Sequence, residues 1–344
     1  MYTVAVAGAT GAVGKQMLSI LEEREFPVDT LVPLASPRSR GKNVDFQGES
    51  WEVEILGERA FDDVDLVLAS CGSGVIKEHV QRMLDGGAVV VDNSSAFRYD
   101  REIPLIVPEI NADAISTEDR LIANPNCSTT QLVMALAPVQ REFGIERLVV
   151  STYQSTSGAG ATARQECWEQ TRAVVNDETV PEPEQFPHRI AFNAIPEIGD
   201  VLDQEHGNTK EEMKMVWETR KIFEDDAIQV SPTAIRIPVL NCHGESVNVE
   251  TKQSFEIDTI REIMQSFQGV TVRDDPHDSV YPTNLQADGR DDVYVGRIRR
   301  DASAENAFNC WIVADNLRKG AALNTIQIAE ELIEAGRLSS PQPA

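Results

Sequence analysis

The residues that could do chemistry gather first around Cys127. A short apolar run, Leu121-Ile122-Ala123, ends in Asn124-Pro125-Asn126, and helical apolar spacing follows at Leu132, Val133, Leu136 and Val139. Pro125 bars helix before it. Asn126 suits an N-cap, and Ser128, Thr129 and Thr130 suit a first turn. That arrangement puts the Cys127 sulfur at the positive end of a helix, where free backbone N–H groups favour the thiolate. The same groups can hold an oxyanion on an attacked carbonyl. The alternative is a buried, inert cysteine. His243 is the second candidate. It lies between two alternating segments, residues 233–240 and 247–255, and so reads as a turn residue, although a lone histidine is more commonly structural or solvated. Arg98 and Arg236 are isolated candidate anion ligands. Glu211 and Lys214 are three apart in a helical segment, 210–220, the spacing of a pair on one face. A plain surface ion pair would explain them equally.

The elements that must position these residues begin at the first strand, residues 3–7. Gly8-Ala9-Thr10-Gly11-Ala12-Val13-Gly14 follows, then a helix with apolar residues at Val13, Met17, Leu18 and Leu21. Strand, glycine turn and helix in that order predict a dinucleotide-binding unit, the glycines admitting a pyrophosphate to the helix N-terminus. The second strand, 30–35, lacks the terminal Asp or Glu that would hold an NAD ribose. Ser36-Pro37-Arg38-Ser39-Arg40-Gly41-Lys42 stands there instead, a basic and hydroxyl-bearing turn suited to a 2′-phosphate. NADP is therefore expected rather than NAD. Further strands at 53–56, 64–70 and 86–91, with a helix at 75–84, argue a parallel, doubly wound sheet. Arg98 lies just past the C-terminal end of the last of these strands, where open α/β sheets bind ligands.

Beyond the Cys127 helix the chain is strand-rich. Strands are expected at 146–155, 233–240, 247–255, 293–299 and 308–315, and helices at 161–175, 210–220 and 319–336. Residues 176–187 read as a surface loop, residues 338–344 as a frayed end, and no internal repeat is found.

The 344 residues predict two domains. No apolar run approaches a membrane span, and the N-terminus enters a strand at once without an export signal. Five scattered cysteines in no paired spacing fit a reducing cytoplasm and argue against a disulfide framework or a zinc site; no metal is expected. The net charge of −25 disfavours nucleic acid and anionic membrane as partners. Only 8 of the 31 basic residues are Lys. Such a surface suits a salt-rich cytoplasm or an acidic proteome from a GC-rich genome, and composition does not separate them. Any anionic substrate must be drawn in by local cations.

Taken together, several stretches resemble the bacterial type of the aspartate-semialdehyde dehydrogenase family. They are Gly8–Gly14, Val91-Asp-Asn-Ser-Ser-Ala-Phe-Arg98, Asn124-Pro-Asn-Cys-Ser-Thr129, Ser151-Thr-Tyr-Gln-Ser-Thr-Ser-Gly-Ala-Gly160, Glu211-Glu-Met-Lys214, Arg236-Ile-Pro-Val239 and Val295-Gly-Arg-Ile-Arg299. The resemblance covers nearly the whole chain. It implies an α/β fold: an N-terminal Rossmann-type parallel-sheet domain, residues 1–126, rejoined by a C-terminal helix within 315–344. An α+β catalytic and dimerisation domain, residues 127–314, would carry a large open sheet that pairs subunits into a homodimer or a dimer of dimers.

The implied reaction is the NADPH-dependent reductive dephosphorylation of L-aspartyl-4-phosphate to aspartate 4-semialdehyde and phosphate, a step toward lysine, threonine and methionine. By motif, Cys127 resembles the nucleophile, His243 the general acid–base and Gln154 the residue that orients the substrate. Arg236 resembles the clamp on the α-carboxylate and Glu211 the partner of the α-amino group, with Glu212 beside it as a rival. Arg98, Asn126 and Lys214 resemble the phosphate site. Gly8, Thr10, Gly11, Ala12, Val13, Ser36, Arg38, Ser39, Ser157, Gly158 and Asn316 resemble cofactor contacts. The rival readings are a reductase of N-acetyl-glutamyl phosphate, with the same thioester chemistry on a longer acid, and a non-catalytic NADPH sensor.

Overall fold

The computed structural model describes residues 1–338; of the end expected to fray, 338–344, Leu338 is instead buried in the apolar core, and the rest lies outside the described residues. The chain divides into two compact units, one of residues 1–126 with the C-terminal segment from Ala321, the other of Cys127–Gly320.

In the first unit, β1 (Tyr2–Ala7), α1 (Ala12–Glu23) and β2 (Val28–Ala35) form the opening β-α-β. A hairpin of β3 (Asn43–Phe46) and β4 (Glu49–Glu52) follows, then β5 (Glu54–Ile55), β6 (Leu66–Ala69), α2 (Ser73–Asp85), β7 (Val89–Asp92), the single turn α3 (Pro108–Asn111) and β8 (Leu121–Ala123). The sheet order is β5-β2-β1-β6-β7-β8, and every pairing is parallel. Both faces are covered, which is why the strands read as continuous apolar runs rather than alternating ones. Val4 and Val6 of β1 pack with Met17, Ile20 and Leu21 of α1, while Ala5 and Ala7 face Ile76, Val80 and Met83 of α2. The segment expected as one strand at 53–56 is shorter, because the chain first spends residues 43–52 on the hairpin.

The second unit opens with α4 (Cys127–Phe143), in which every residue from Ser128 to Val139 is buried. It continues with β9 (Ile145–Gln154), α5 (Ala161–Val175), α6 (Lys210–Phe223), β10 (Gln229–Arg236), β11 (His243–Thr251), α7 (Ile257–Ser266), β12 (Val270–Val272), α8 (Asn284–Ala287), β13 (Val293–Arg300) and β14 (Ala307–Ala314). These strands form a mixed sheet ordered β10-β9-β11-β14-β13-β12. Its inner face carries Val150, Thr152, Gln154, His243, Glu245, Val247, Cys310 and Ile312, all buried against helices that include α4. On the other face Ser151, Tyr153, Asn248, Asn309 and Trp311 are half-buried.

Three expectations shift. The strand placed at 233–240 ends at Arg236, since Pro238 has no N–H to continue a ladder. The strand placed at 247–255 begins four residues earlier, so His243 is a strand residue paired with Ala314 and not a turn residue; the turn is made by Asn241 and Cys242, the latter at φ 67°. The closing helix does not run evenly from 319. A widened π turn at Arg318–Ala322 precedes α9 (Leu323–Glu334), which returns to the first unit and buries Leu323, Ile326, Ile328, Ala329 and Leu332 there. No described helix is long and apolar enough to cross a membrane.

The glycine turn is sterically determined. Gly8 has φ +94°, and a Cβ on Gly14 would lie 2.2 Å from the Gly8 carbonyl oxygen. Gly14→Ala is therefore expected to cost at least about 1–3 kcal/mol through overpacking, read as a lowered denaturation midpoint, together with weakened dinucleotide binding by calorimetry.

Candidate active site

In the second unit the sheet register brings the candidate residues to one end. β9 and β10 run parallel with Gln154 opposite Arg236, each the last residue of its strand. β11 runs antiparallel on the other side of β9, with Gly244 opposite Tyr153, so its first residue, His243, arrives at that same end. Two helix N-termini belong to this group. Cys127 opens α4, and Glu211 lies in the first turn of α6.

Gln154 is buried, and its Nε2 donates to Ser128 Oγ at 2.8 Å and Glu211 Oε1 at 3.3 Å. Glu211 Oε2 accepts from Lys214 Nζ at 2.6 Å. Arg236 is 5% exposed, and its Nη1 donates to the Ser155 carbonyl at 2.6 Å. Burial lowers the Arg236 pKa, opposed by Glu211 and Cys127. Glu211 and Glu212 are held differently at the helix cap. Glu212 accepts from the backbone N–H of Thr209 at 2.7 Å while the Thr209 hydroxyl accepts from its N–H, and its other oxygen takes the Ala234 N–H. Glu212 is thus used as a capping-box residue, and Glu211 faces Gln154 and Lys214.

His243 is fully buried. Its Nδ1 accepts from the Ser155 backbone N–H at 3.0 Å and lies 3.1 Å from Ser155 Oγ. A backbone N–H can only donate, so the neutral ring carries its proton on Nε2. That Nε2 is buried and has no protein partner. A Cβ on Gly158 would come within 3.0 Å of it and 3.1 Å of Arg236 Nη1. The missing side chain of Gly158 leaves this atom approachable. Desolvation, then the Arg236 charge, lowers the His243 pKa to about 3, with Glu211 opposing. Behind the ring, Asn316 Oδ1 accepts from Ser155 Oγ (3.1 Å), Ser157 Oγ (3.2 Å) and the Cys242 N–H (3.0 Å).

The first unit holds the remaining candidates. Gly8, Thr10, Gly11, Ala12 and Val13 form the turn into α1, whose N-cap, Gly11, offers no side-chain cap. The first-turn N–H groups stay available for an anion. Thr10 Oγ1 and Ser39 Oγ are 3.2 Å apart, which joins that turn to the loop after β2. Ser36 and Arg38 are exposed on the same loop. Arg98 is buried, and its Nη2 donates to the Asn93 carbonyl at 2.8 Å. Asn126 is buried and directly precedes Cys127.

Comparison with known proteins decides the family. A model of the semialdehyde dehydrogenase NAD-binding domain matches residues 3–118, and one of the semialdehyde dehydrogenase dimerisation domain matches residues 136–319. An aspartate-semialdehyde dehydrogenase of Aquifex aeolicus is 48% identical over 338 residues, 97% of this chain and 99% of the relative. One of Legionella pneumophila is 49% identical over 332 residues, 96% and 95% of the two chains. The chain belongs to the aspartate-semialdehyde dehydrogenase family. The crystal structure of aspartate semialdehyde dehydrogenase II from Vibrio cholerae, complexed with ASA, superposes with a TM-score of 0.94 at 45% identity, covering 97% of this chain and 98% of that one. As a family member the protein is an oxidoreductase, a phosphorylating semialdehyde dehydrogenase.

Two contacts at this dehydrogenase site were not marked by sequence reasoning. Ser155 stands inside a quoted motif, but its role depends on a strand 88 residues away. Gly320 looked like an ordinary helix position, yet a Cβ there would lie 2.8 Å from Cys127 Cβ.

The buried histidine has a pH consequence. Its folded pKa, about 3, is below the ordinary 6.5, so the unfolded chain takes up its proton first as pH falls. The stability linked to His243 is present above pH 6.5 and is lost progressively toward pH 3. Denaturant titrations of wild type and His243→Asn are expected to diverge in slope only within that window, with the variant less acid-sensitive. Parallel slopes would contradict the burial argument.

Proposed function

We propose that this enzyme reduces L-aspartyl-4-phosphate with NADPH, releasing phosphate and L-aspartate 4-semialdehyde through a thioester on Cys127. The observation that carries the reading is the convergence of Gln154, Arg236 and His243 at one end of the mixed sheet, with Glu211 against Gln154 and Cys127 opening α4.

An acyl phosphate is already activated, so attack requires chiefly a positioned thiolate and cations for the leaving group. The Cys127 sulfur bonds to the acyl carbon, and the bond from that carbon to the phosphate oxygen breaks. Arg98, Asn126 and Lys214 are the proposed phosphate ligands. Arg236 suits the α-carboxylate through its planar fork, and Glu211 the α-ammonium. Gln154, held by Ser128 and Glu211, orients the acyl group. In the ligand-free site Glu211 and Lys214 neutralise each other. Substrate offers each a partner of its own, an ammonium for Glu211 and a phosphate for Lys214.

His243 has two uses. With its proton on Nε2 it donates to the sulfur or to the developing oxyanion. To act as base at Nε2 it must carry its proton on Nδ1 instead; the Ser155 N–H, a donor facing Nδ1 at 3.0 Å, would then have to turn away, so Ser155 favours the form protonated on Nε2.

NADP fits the first unit. At Gly8 and Gly14 a Cβ would collide with Ser70 and with the Gly8 carbonyl, which keeps the turn tight beside the α1 N-terminus. β2 ends in Ala35 rather than an acid, and Ser36, Arg38 and Ser39 follow. We assign residues 1–126 and the C-terminal helix to cofactor binding, with Gly8, Thr10, Gly11, Ala12 and Val13 at the pyrophosphate. Ser157, Gly158 and Asn316 are the contacts proposed from the second unit, Cys127–Gly320. When bound, the cofactor supplies the hydride that reduces the thioester carbonyl. The match to a dimerisation domain supports a homodimer formed through the half-buried sheet face. Five free cysteines suit a reducing cytoplasm. The product proposed here would feed the synthesis of lysine, threonine and methionine.

The test runs the reaction backward, following nicotinamide absorbance with aspartate semialdehyde, NADP and phosphate. Reduction of NADP that needs phosphate is expected, with NAD a poor substitute. Arg38→Ala should weaken NADPH about tenfold or more, the loss of one charge-assisted contact, and leave NADH nearly unchanged. Equal losses for both would overturn the 2′-phosphate assignment.

A further inference from the structure

Glu245 is a charged residue type in a place that offers no charge partner. It is 0% exposed at the middle of the mixed sheet, opposite Thr152 on β9 and Ile312 on β14. Strand alternation puts it on the inner face, two residues from His243. Above it lies α4, and Gln131, one helical turn after Cys127, turns its amide to the carboxyl. From β14 the nearby titratable group is Cys310, pushed up to about 12 chiefly by burial and therefore a neutral thiol. Among the described residues no cation pairs with Glu245.

Five buried polar atoms are left without a hydrogen bond at this point: both oxygens of Glu245, both Oε1 and Nε2 of Gln131, and Oγ1 of Thr152, the residue opposite Glu245 on β9. One arrangement satisfies the four on Glu245 and Gln131. A carboxylic acid and a primary amide form a cyclic pair, in which the acid O–H donates to the amide oxygen and the amide N–H donates to the acid carbonyl. A carboxylate cannot form it, because its oxygen would face the Gln131 oxygen with no proton between them. An unpaired buried carboxylate would also carry a desolvation cost of several kcal/mol. Burial indeed pushes the Glu245 carboxyl well above its ordinary range.

We propose that Glu245 is an un-ionised acid that pairs cyclically with Gln131, and that this pair is a positioning device locking the helix that carries Cys127 onto the strand that carries His243. The functional half rests on Cys127 and His243 being the reacting pair; the protonation half does not. Glu245 touches neither substrate nor cofactor. It acts by fixing the distance between the sulfur and the imidazole. A neutral acid does this without placing a negative charge under the thiolate, which would raise the Cys127 pKa.

The test has two arms on the full chain. Infrared difference spectra of wild type minus Glu245→Gln, in deuterated buffer at neutral pH, should show a carbonyl band of a protonated carboxylic acid. A carboxylate band in its place would overturn the proposal. The second arm is kinetic. Glu245→Leu strands the Gln131 amide and should lower kcat by roughly ten- to a hundredfold, the scale of a small misplacement. KM should move little, and Cys127 alkylation should slow at fixed pH. Glu245→Gln, which re-forms a cyclic amide–amide pair, should restore kcat with an unchanged pH profile. A shifted profile in Glu245→Gln, or unaltered kcat in a folded Glu245→Leu, would overturn the positioning role. The infrared arm needs no turnover, so failure of the dehydrogenase reading and failure of the acid pair give different results.

Discussion

The register of β10, β9 and β11 is the constraint on which the site depends. Parallel pairing of β9 with β10 sets Gln154 beside Arg236, and antiparallel pairing of β11 brings His243 to the same end. Because side chains alternate along a strand, a slip of one residue would send all three to the opposite face. The register is held by the buried inner face, where Val150, Val247 and Ile312 pack with α4 lying above. Chemistry and core packing are therefore set by the same rows of residues. This explains why a polar set of Thr152, Gln154, His243 and Glu245 can lie inside an otherwise apolar interior.

The electrostatics follow from that burial. The chain carries a net charge of −25, yet Arg236 and Lys214 belong to the group proposed to bind the anionic substrate. In the ligand-free protein each is already answered, Lys214 by Glu211 and Arg236 by the Ser155 carbonyl with Glu211 and Cys127 nearby. His243 is held neutral and Cys127 is set at a helix N-terminus. The charges proposed for substrate binding are thus internally balanced within the protein.

Much of this was legible from residue types. Pro125 and the hydroxyl-rich turn fixed the start of α4 and with it Cys127. The three-residue step from Glu211 to Lys214 predicted an observed 2.6 Å pair. The first parallel sheet was readable because its strands are short apolar runs between glycine turns and amphipathic helices. What escaped was long-range. His243 read as a turn residue because its strand pairing to Ala314 is invisible locally. Glu212 competed with Glu211 in the sequence, and its part in the Thr209 cap shows only in the structure. Ser155 and Gly320 act through residues far away in sequence. Glu245 was readable in principle, since alternation through His243, Glu245, Val247 and Val249 puts an acid on the interior face, a local conflict of the kind that marks functional sites.

The central claim is that Cys127 carries the acyl group. Its most direct test is intact-mass and peptide-mass analysis after mixing the enzyme with aspartate semialdehyde and NADP but no phosphate. The account predicts an aspartyl thioester on Cys127, formed with one equivalent of NADPH and discharged when phosphate is added. Turnover without any adduct on Cys127, or an adduct on another residue, would contradict it.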